Sequence, residues 1–167
     1  MMARAHPTLA LRPFLPEDAP LLMEIFRASI EDLTGDDYSP EQQQAWSAAA
    51  DDEEAFAARL AQRLTLVATL EGSVVGFIAL EGKDHIDMLY VHPAVAGQGV
   101  GTMLVDAVEK LAASRGTPRL VVDASDSARD FFLGRGYVAQ QRNSVSRHGE
   151  WLANTTMEKR LAARSGS

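Results

Sequence analysis

The sequence predicts a mixed α/β sandwich with elements in the order β-αα(α)-βββ-α-β-α-ββ. Three observations carry this. Short apolar and β-branched runs are bounded by turn residues, longer stretches place apolar residues at helical spacing, and a glycine-rich loop at 95–102 joins one of each.

Leu9 to Phe14 reads as the first strand. Pro16-Glu17-Asp18 then opens a helix, with proline early and acids in its first turn, and Leu21, Leu22, Ile25, Phe26 and Ile30 give it an apolar face to about Leu33. Thr34-Gly35-Asp36-Asp37 is a loop. Ser39 and Gln42 have the spacing of a capping box, so a second helix runs to about Ala49, and Asp51 or Asp52 starts a third that reaches Gln62. Thr65 to Leu70 and Val74 to Leu80 are strands joined as a hairpin at Glu71-Gly72-Ser73. His85 to Val91 is the next strand, closed by His92-Pro93 because proline cannot donate to a sheet. After the glycine loop, Met103, Leu104, Ala107, Val108, Leu111 and Ala112 stripe one face of a helix that Gly116 caps. Tyr137 to Arg147 and Glu150 to Lys159 form a final hairpin around His148-Gly149. Residues 9–160 read as one domain between tails at 1–8 and 161–167.

Composition narrows the function. At 167 residues and 46% hydrophobic content, the chain suits one compact domain, and no apolar run is long enough to cross a bilayer. Arg4, His6, Pro7 and Arg12 interrupt any secretory apolar segment, so a cytoplasmic location is expected. The absence of cysteine excludes disulfides and thiolate nucleophiles. A net charge of −7 argues against nucleic-acid binding, which needs basic surface. The acids from Glu31 to Glu54 read as solvated helix ends and loops, with a funnel for a cationic amine as the functional alternative. No metal-ligand spacing is present, and no metal is expected.

The glycine loop, Val95-Ala96-Gly97-Gln98-Gly99-Val100-Gly101-Thr102, is the most informative segment. Glycines let the backbone approach a ligand, and the unpaired N–H groups of a helix start point at it, so phosphate is the expected guest. A P-loop would need lysine where Gly101 stands, and a dinucleotide fingerprint would need its third glycine where Thr102 stands.

Ala96-Gly97-Gln98-Gly99-Val100-Gly101 does resemble the Gln/Arg-x-x-Gly-x-Gly/Ala signature of the GNAT superfamily of acyl-CoA-dependent N-acetyltransferases, with Ala96 in place of the usual Gln or Arg. Leu89-Tyr90-Val91-His92-Pro93 is similar to the run that leads into that loop. Arg119 to Ala124, then Ala128, Phe131, Phe132 and Gly136-Tyr137, resemble the family's later strand, helix and Gly-aromatic turn. The resemblance spans residues 9 to 160 and implies a GNAT-like central sheet, flanked by helices, whose strands splay around an acyl-pantetheine arm.

It implies acetyl-CoA as cosubstrate, transferring acetyl to a primary amine by direct attack in a ternary complex. Gly97, Gln98, Gly99, Val100, Gly101 and Thr102 would hold the pyrophosphate, beside Ala96. The arm would lie along Leu89, Tyr90 and Val91, with Ser125 and Phe132 as further cofactor-binding positions. By position the N–H of Leu89 would receive the developing oxyanion.

Period-two alternation puts residues 85, 87, 89 and 91 on one strand face. On that face His85 falls where relatives carry a general base, and histidine titrates near physiological pH. Asp87, two residues on, would orient it or raise its basicity. The tyrosine that many relatives use to protonate the leaving thiolate is here Phe132, and the asparagine often found at that helix start is Ser125. Among the tyrosines, Tyr90 falls on the face opposite His85 and Tyr137 reads as packing. Either the thiolate leaves without side-chain protonation or Tyr38 is the candidate acid, with acceptor binding as its other role. Trp46 is core or acceptor wall, Trp151 packing or interface, and His92 an organiser of the loop. The acceptor is expected to be a small-molecule or peptide amine, and the protein a monomer or homodimer. The alternative from a different class is a non-catalytic acyl-CoA-binding or sensing module of the same fold.

Overall fold

The computed structural model describes residues 8–161. Of the expected tails only Thr8 and Leu161 are described, and His6 lies outside. Both described ends are tied to the sheet, Thr8 N–H donating to the Glu71 carboxylate and Leu161 N–H to the Pro118 carbonyl.

The elements are β1 (Leu9–Pro13), α1 (Ala19–Leu33), α2 (Pro40–Ser47), α3 (Glu53–Ala61), β2 (Leu64–Leu70), β3 (Ser73–Glu81), β4 (His85–Val91), α4 (Val100–Ser114), β5 (Arg119–Ser125), α5 (Arg129–Gly134), β6 (Val138–Arg147) and β7 (Glu150–Arg160). The expected order holds, and boundaries move only where local chemistry intervenes. The first helix opens as a short 3-10 turn at Pro16–Asp18, and buried Asp18 accepts both Arg12 guanidinium N–H groups and the Leu15 amide. That Arg12 contact holds the Asp18 carboxyl below its ordinary range against the upward push of burial. The Ser39–Gln42 box forms in both directions at the start of α2. Asp52, not Asp51, caps α3 through the Ala55 amide.

The strands form one seven-stranded sheet in the order β1-β2-β3-β4-β5-β7-β6. Every neighbouring pair is antiparallel except β4 with β5, which run parallel and pair only at His85–Val121 and Ile86–Val122. Beyond those positions the two strands splay apart, and the sheet opens down its middle. Helices cover both faces. On one, α1 and α3 bury Phe26, Ile30, Phe56 and Leu60 against Val67, Phe77 and Met88. On the other, α4 and α5 bury Leu104, Val108 and Phe132 against Ile78, Ile86 and Leu120.

The seat of α4 depends on Gly76. A Cβ there would lie 3.0 Å from the Tyr90 carbonyl and 3.1 Å from the Val100 side chain, so a larger residue would push the start of α4 off the sheet.

Candidate active site

The helix that follows β4 begins at an anion cradle. Gly99 caps α4 in the left-handed region, φ 87°, and Gly97 shares that conformation at 81°. The backbone N–H groups of Gly97, Gly99, Val100, Gly101 and Thr102 donate to no acceptor among the described residues. Nothing lies within 4 Å of where a Cβ would stand at either Gly97 or Gly99. Five unsatisfied donors at the positive end of a long helix, in open space, suit a diphosphate. His92 organises the approach, its Nδ1 accepting the Ala94 N–H at 3.0 Å.

Next to the cradle, the splay leaves one edge of β4 unpaired. The His92 N–H donates to the Val75 carbonyl, which fixes the alternation of the β3–β4 ladder and turns the N–H and C=O groups of Leu89 and Val91 away from β3 into the gap. A cavity of about 460 Å³ occupies this gap. It passes through the sheet, with Trp46 and Tyr90 on the α1 side and Leu89 and Phe132 on the α4 side.

One expectation about β4 is corrected here. The β3 register runs Ala79–Met88 and then Leu80–Ile86, so Asp87 is an extra residue in a bulge. The alternation therefore changes phase. Met88 and Tyr90 face α1 and α3, while Leu89 and Val91 face α4. Residues 85, 87, 89 and 91 do not share a face. Tyr90 is not turned away from His85, since both line the cavity.

His85 is about one-third exposed, with Nδ1 3.3 Å from a Glu81 carboxylate oxygen and Nε2 3.6 Å from an oxygen of Asp123 on β5. Asp123 in turn accepts the Thr156 hydroxyl at 2.6 Å. Asp87 does not orient His85. Its carboxylate takes two hydrogen bonds from Arg59, at 3.0 and 2.9 Å, and a longer one from Arg63 at 3.3 Å. Burial pushes the Asp87 carboxyl up, but the two guanidiniums outweigh it and hold it below the ordinary carboxylate range. Glu81, His85 and Asp87 bring possible ligand atoms within 4.8 Å of one another, yet the arginines already neutralise Asp87, a poor setting for a cation.

The tyrosines divide by what their hydroxyls touch. Tyr38 donates to the Ala153 carbonyl at 2.6 Å and accepts the Asp126 N–H at 2.9 Å, and burial pushes its hydroxyl up. Its proton is thus committed to the β7 backbone. Together with Gln42 donating to the Trp151 carbonyl and Ser127 to Asp37, it straps the α1–α2 segment to β7 and the β5–α5 turn. Tyr137 is buried, donates to Glu109 at 3.0 Å, and is raised by burial and then by that carboxylate. Tyr90 accepts the Trp46 indole N–H at 3.1 Å, and burial pushes its hydroxyl up to about 12. Phe132 packs edge-on against Phe131 and Tyr137. The Ser125 hydroxyl accepts the Ala128 N–H, closing the turn before α5. Trp46 lines the cavity, whereas Trp151 is 64% exposed on the outer hairpin.

Four residues of this site escaped the sequence reading. Glu81 and Asp123 flank His85 only because β3 and β5 neighbour β4, and Arg59 and Arg63 reach Asp87 from α3 and the turn after it. The spacing Glu81-x-x-x-His85 across a turn was a local signal for the first of them.

Comparison with known proteins bears on the family and the fold. The sequence model of the family described as "Acetyltransferase (GNAT) domain" matches residues 34–161. The crystal structure of a GCN5-related N-acetyltransferase, "Aminotransferase, Class-II", from Rhodopseudomonas palustris is 64% identical, with a TM-score of 0.90 over 96% of this chain and 99% of that one. The uncharacterized N-acetyltransferase YafP of Escherichia coli is 32% identical over 89% of this chain and 94% of its own length. The PaiA N-acetyltransferase of Thermoplasma acidophilum, solved in complex with coenzyme A, shares the fold at 19% identity, with a TM-score of 0.75 over 92% of this chain and 99% of that one. None of the described helices is long and apolar enough to cross a membrane.

Proposed function

This chain belongs to the GNAT acetyltransferases, and from that premise we propose that it moves an acetyl group from acetyl-CoA to a primary amine by direct attack, without an acyl-enzyme. The observation that carries the proposal is the row of unsatisfied amides at the start of α4 lying beside the split between β4 and β5. The first suits the diphosphate of coenzyme A. The second offers Leu89 and Val91 backbone groups to the amides of its pantetheine arm.

In this reading the thioester carbonyl lies against the Leu89 N–H, which stabilises negative charge as the amine nitrogen bonds to the carbonyl carbon. The carbon–sulfur bond then breaks, the thiolate leaves toward the Phe132 side, and through water it takes up the remaining proton shed by the acylated nitrogen. A protonated amine must first lose a proton. His85 takes it. Donation from His85 Nδ1 to Glu81 leaves the Nε2 lone pair facing the cleft beside Asp123. His85 lies four residues before Leu89 but, because of the bulge, three register positions of β3 away, roughly 10 Å, so the proton travels through water rather than directly. Asp87 has a positioning role, pinning the bulge to α3 through Arg59.

The test combines binding and turnover. Acetyl-CoA should raise the melting temperature, and a panel of amines should release free thiol. His85→Ala should lose thiol release while keeping the thermal shift. No thermal shift at saturating acetyl-CoA would remove the basis of the proposal.

A further inference from the structure

Resting on that acetyl-transfer reading, we infer that the amine acceptor is an amino-carboxylate, a primary amine on an apolar stem with its carboxylate at the far end. The cavity changes character along its length. Near the split it presents His85 and Asp123, which suit an ammonium before it is deprotonated. The middle is walled by Trp46, Tyr90, Val145 and Leu152. The outer rim is Arg147, the last residue of β6, beside His148 of the hairpin turn.

Arg147 differs from the other arginines around the site. Arg59 and Arg63 face Asp87, and Arg142 faces Asp126. Arg147 makes no ion pair among the described residues, not even with its cross-strand neighbour Glu150, and its guanidinium donates only to the adjacent Ser146 carbonyl. In a chain of net charge −7, an uncommitted cation at the mouth of the cavity is a local reversal of the surrounding field. A guanidinium presents a fork that fits a carboxylate.

Position sets the stem length. Arg147 lies opposite Glu150, four residues beyond Asn154, which pairs with Ser125 at the open end of β5. Four residues of strand span ~13 Å, β6 lies two strand spacings (~10 Å) from β5, and of the resulting diagonal of ~16 Å an extended arginine side chain covers about 6 Å. The remainder, ~10 Å, matches a stem of about seven carbons, and the apolar walls suit methylenes. An α-amino acid, with one carbon between its charges, is too short to reach both ends.

The test uses matched acceptors, 8-aminooctanoate and 8-aminooctanamide, in the thiol-release assay with wild type, Arg147→Ala and Arg147→Glu. Wild type should prefer the carboxylate by about tenfold in kcat/KM, mainly through KM. Arg147→Ala should bring the ratio near one, and Arg147→Glu should invert it in favour of a diamine of the same length. Calorimetry of the two N-acetylated products on the coenzyme A-loaded protein provides a second measure, with the carboxylate expected to bind about tenfold more tightly. Equal binding and equal kcat/KM for the two partners, or a preference untouched by both substitutions, would overturn the inference while thiol release itself left acetyl transfer standing. Failure to bind coenzyme A at all would overturn the reading beneath it.

Discussion

Replacing Gly99 by alanine separates two costs that usually arrive together. Gly99 sits at φ 87° with open space around its missing Cβ, so in the free protein alanine clashes with nothing and bears only the left-handed backbone penalty. That penalty is about 1 kcal/mol. Gly72, at φ 84° in the β2–β3 turn with the same open surroundings, supplies the control. Gly72→Ala should lose the same stability far from the cradle. For a chain of this size the loss is about 3 °C in Tm for each variant. Ligand then distinguishes them. At a free concentration one hundred times the wild-type Kd, binding adds about 2.7 kcal/mol, or roughly 8 °C. If the new methyl displaces the diphosphate enough to weaken Kd tenfold, Gly99→Ala gains only about 1.4 kcal/mol, or roughly 4 °C, at that concentration. Differential scanning fluorimetry with and without acetyl-CoA reads both effects. Equal ligand-induced shifts in wild type, Gly72→Ala and Gly99→Ala would refute the cradle as the diphosphate site.

Three further outcomes follow from the same contacts. His85→Ala should lower thiol release at least about a hundredfold and leave the Kd for coenzyme A within about twofold; activity within a few-fold of wild type would remove His85 from the proton path. Tyr38→Phe strips partners from the Asp126 N–H and the Ala153 carbonyl and should cost ~2 kcal/mol in urea unfolding, whereas no loss would mean the strap is not stabilising. Asp18 and Asp87 both have carboxyls held below the ordinary range in the folded protein, so their stabilisation is complete above the unfolded value near 3.9 and is lost as pH falls through the folded one. Asp18→Asn and Asp87→Asn should therefore be clearly less stable than wild type at pH 7, with the gap narrowing below about pH 4; a gap of constant size across that range would contradict the ion pairs.

Legibility in the sequence tracked the distance over which each feature is determined. Local chemistry was readable. The Ser39–Gln42 box, the limits of β4 and the left-handed glycines of the cradle all depend on residues a few positions apart. The β4 bulge was not, because it exists only relative to β3, and alternation counted along one strand cannot detect an extra residue in a pair. That slip misplaced Tyr90 and set Asp87 beside the wrong partner. Arg59 lies 28 positions from Asp87, and nothing in the intervening chain announces their meeting. The splay itself was expected only from family resemblance, since two parallel strands that part after two pairs look like any others in sequence.

The molecule is in effect a clasp. The strands up to β4 meet the strands from β5 onward at two paired positions on one side, and the hydrogen bonds of Asp37, Tyr38 and Gln42 fasten them again on the other, leaving an aperture between the fastenings. Whatever threads that aperture touches both halves at once, so loading it should stiffen the whole sheet, and amides of β5 far from any direct contact should exchange more slowly when coenzyme A is in place.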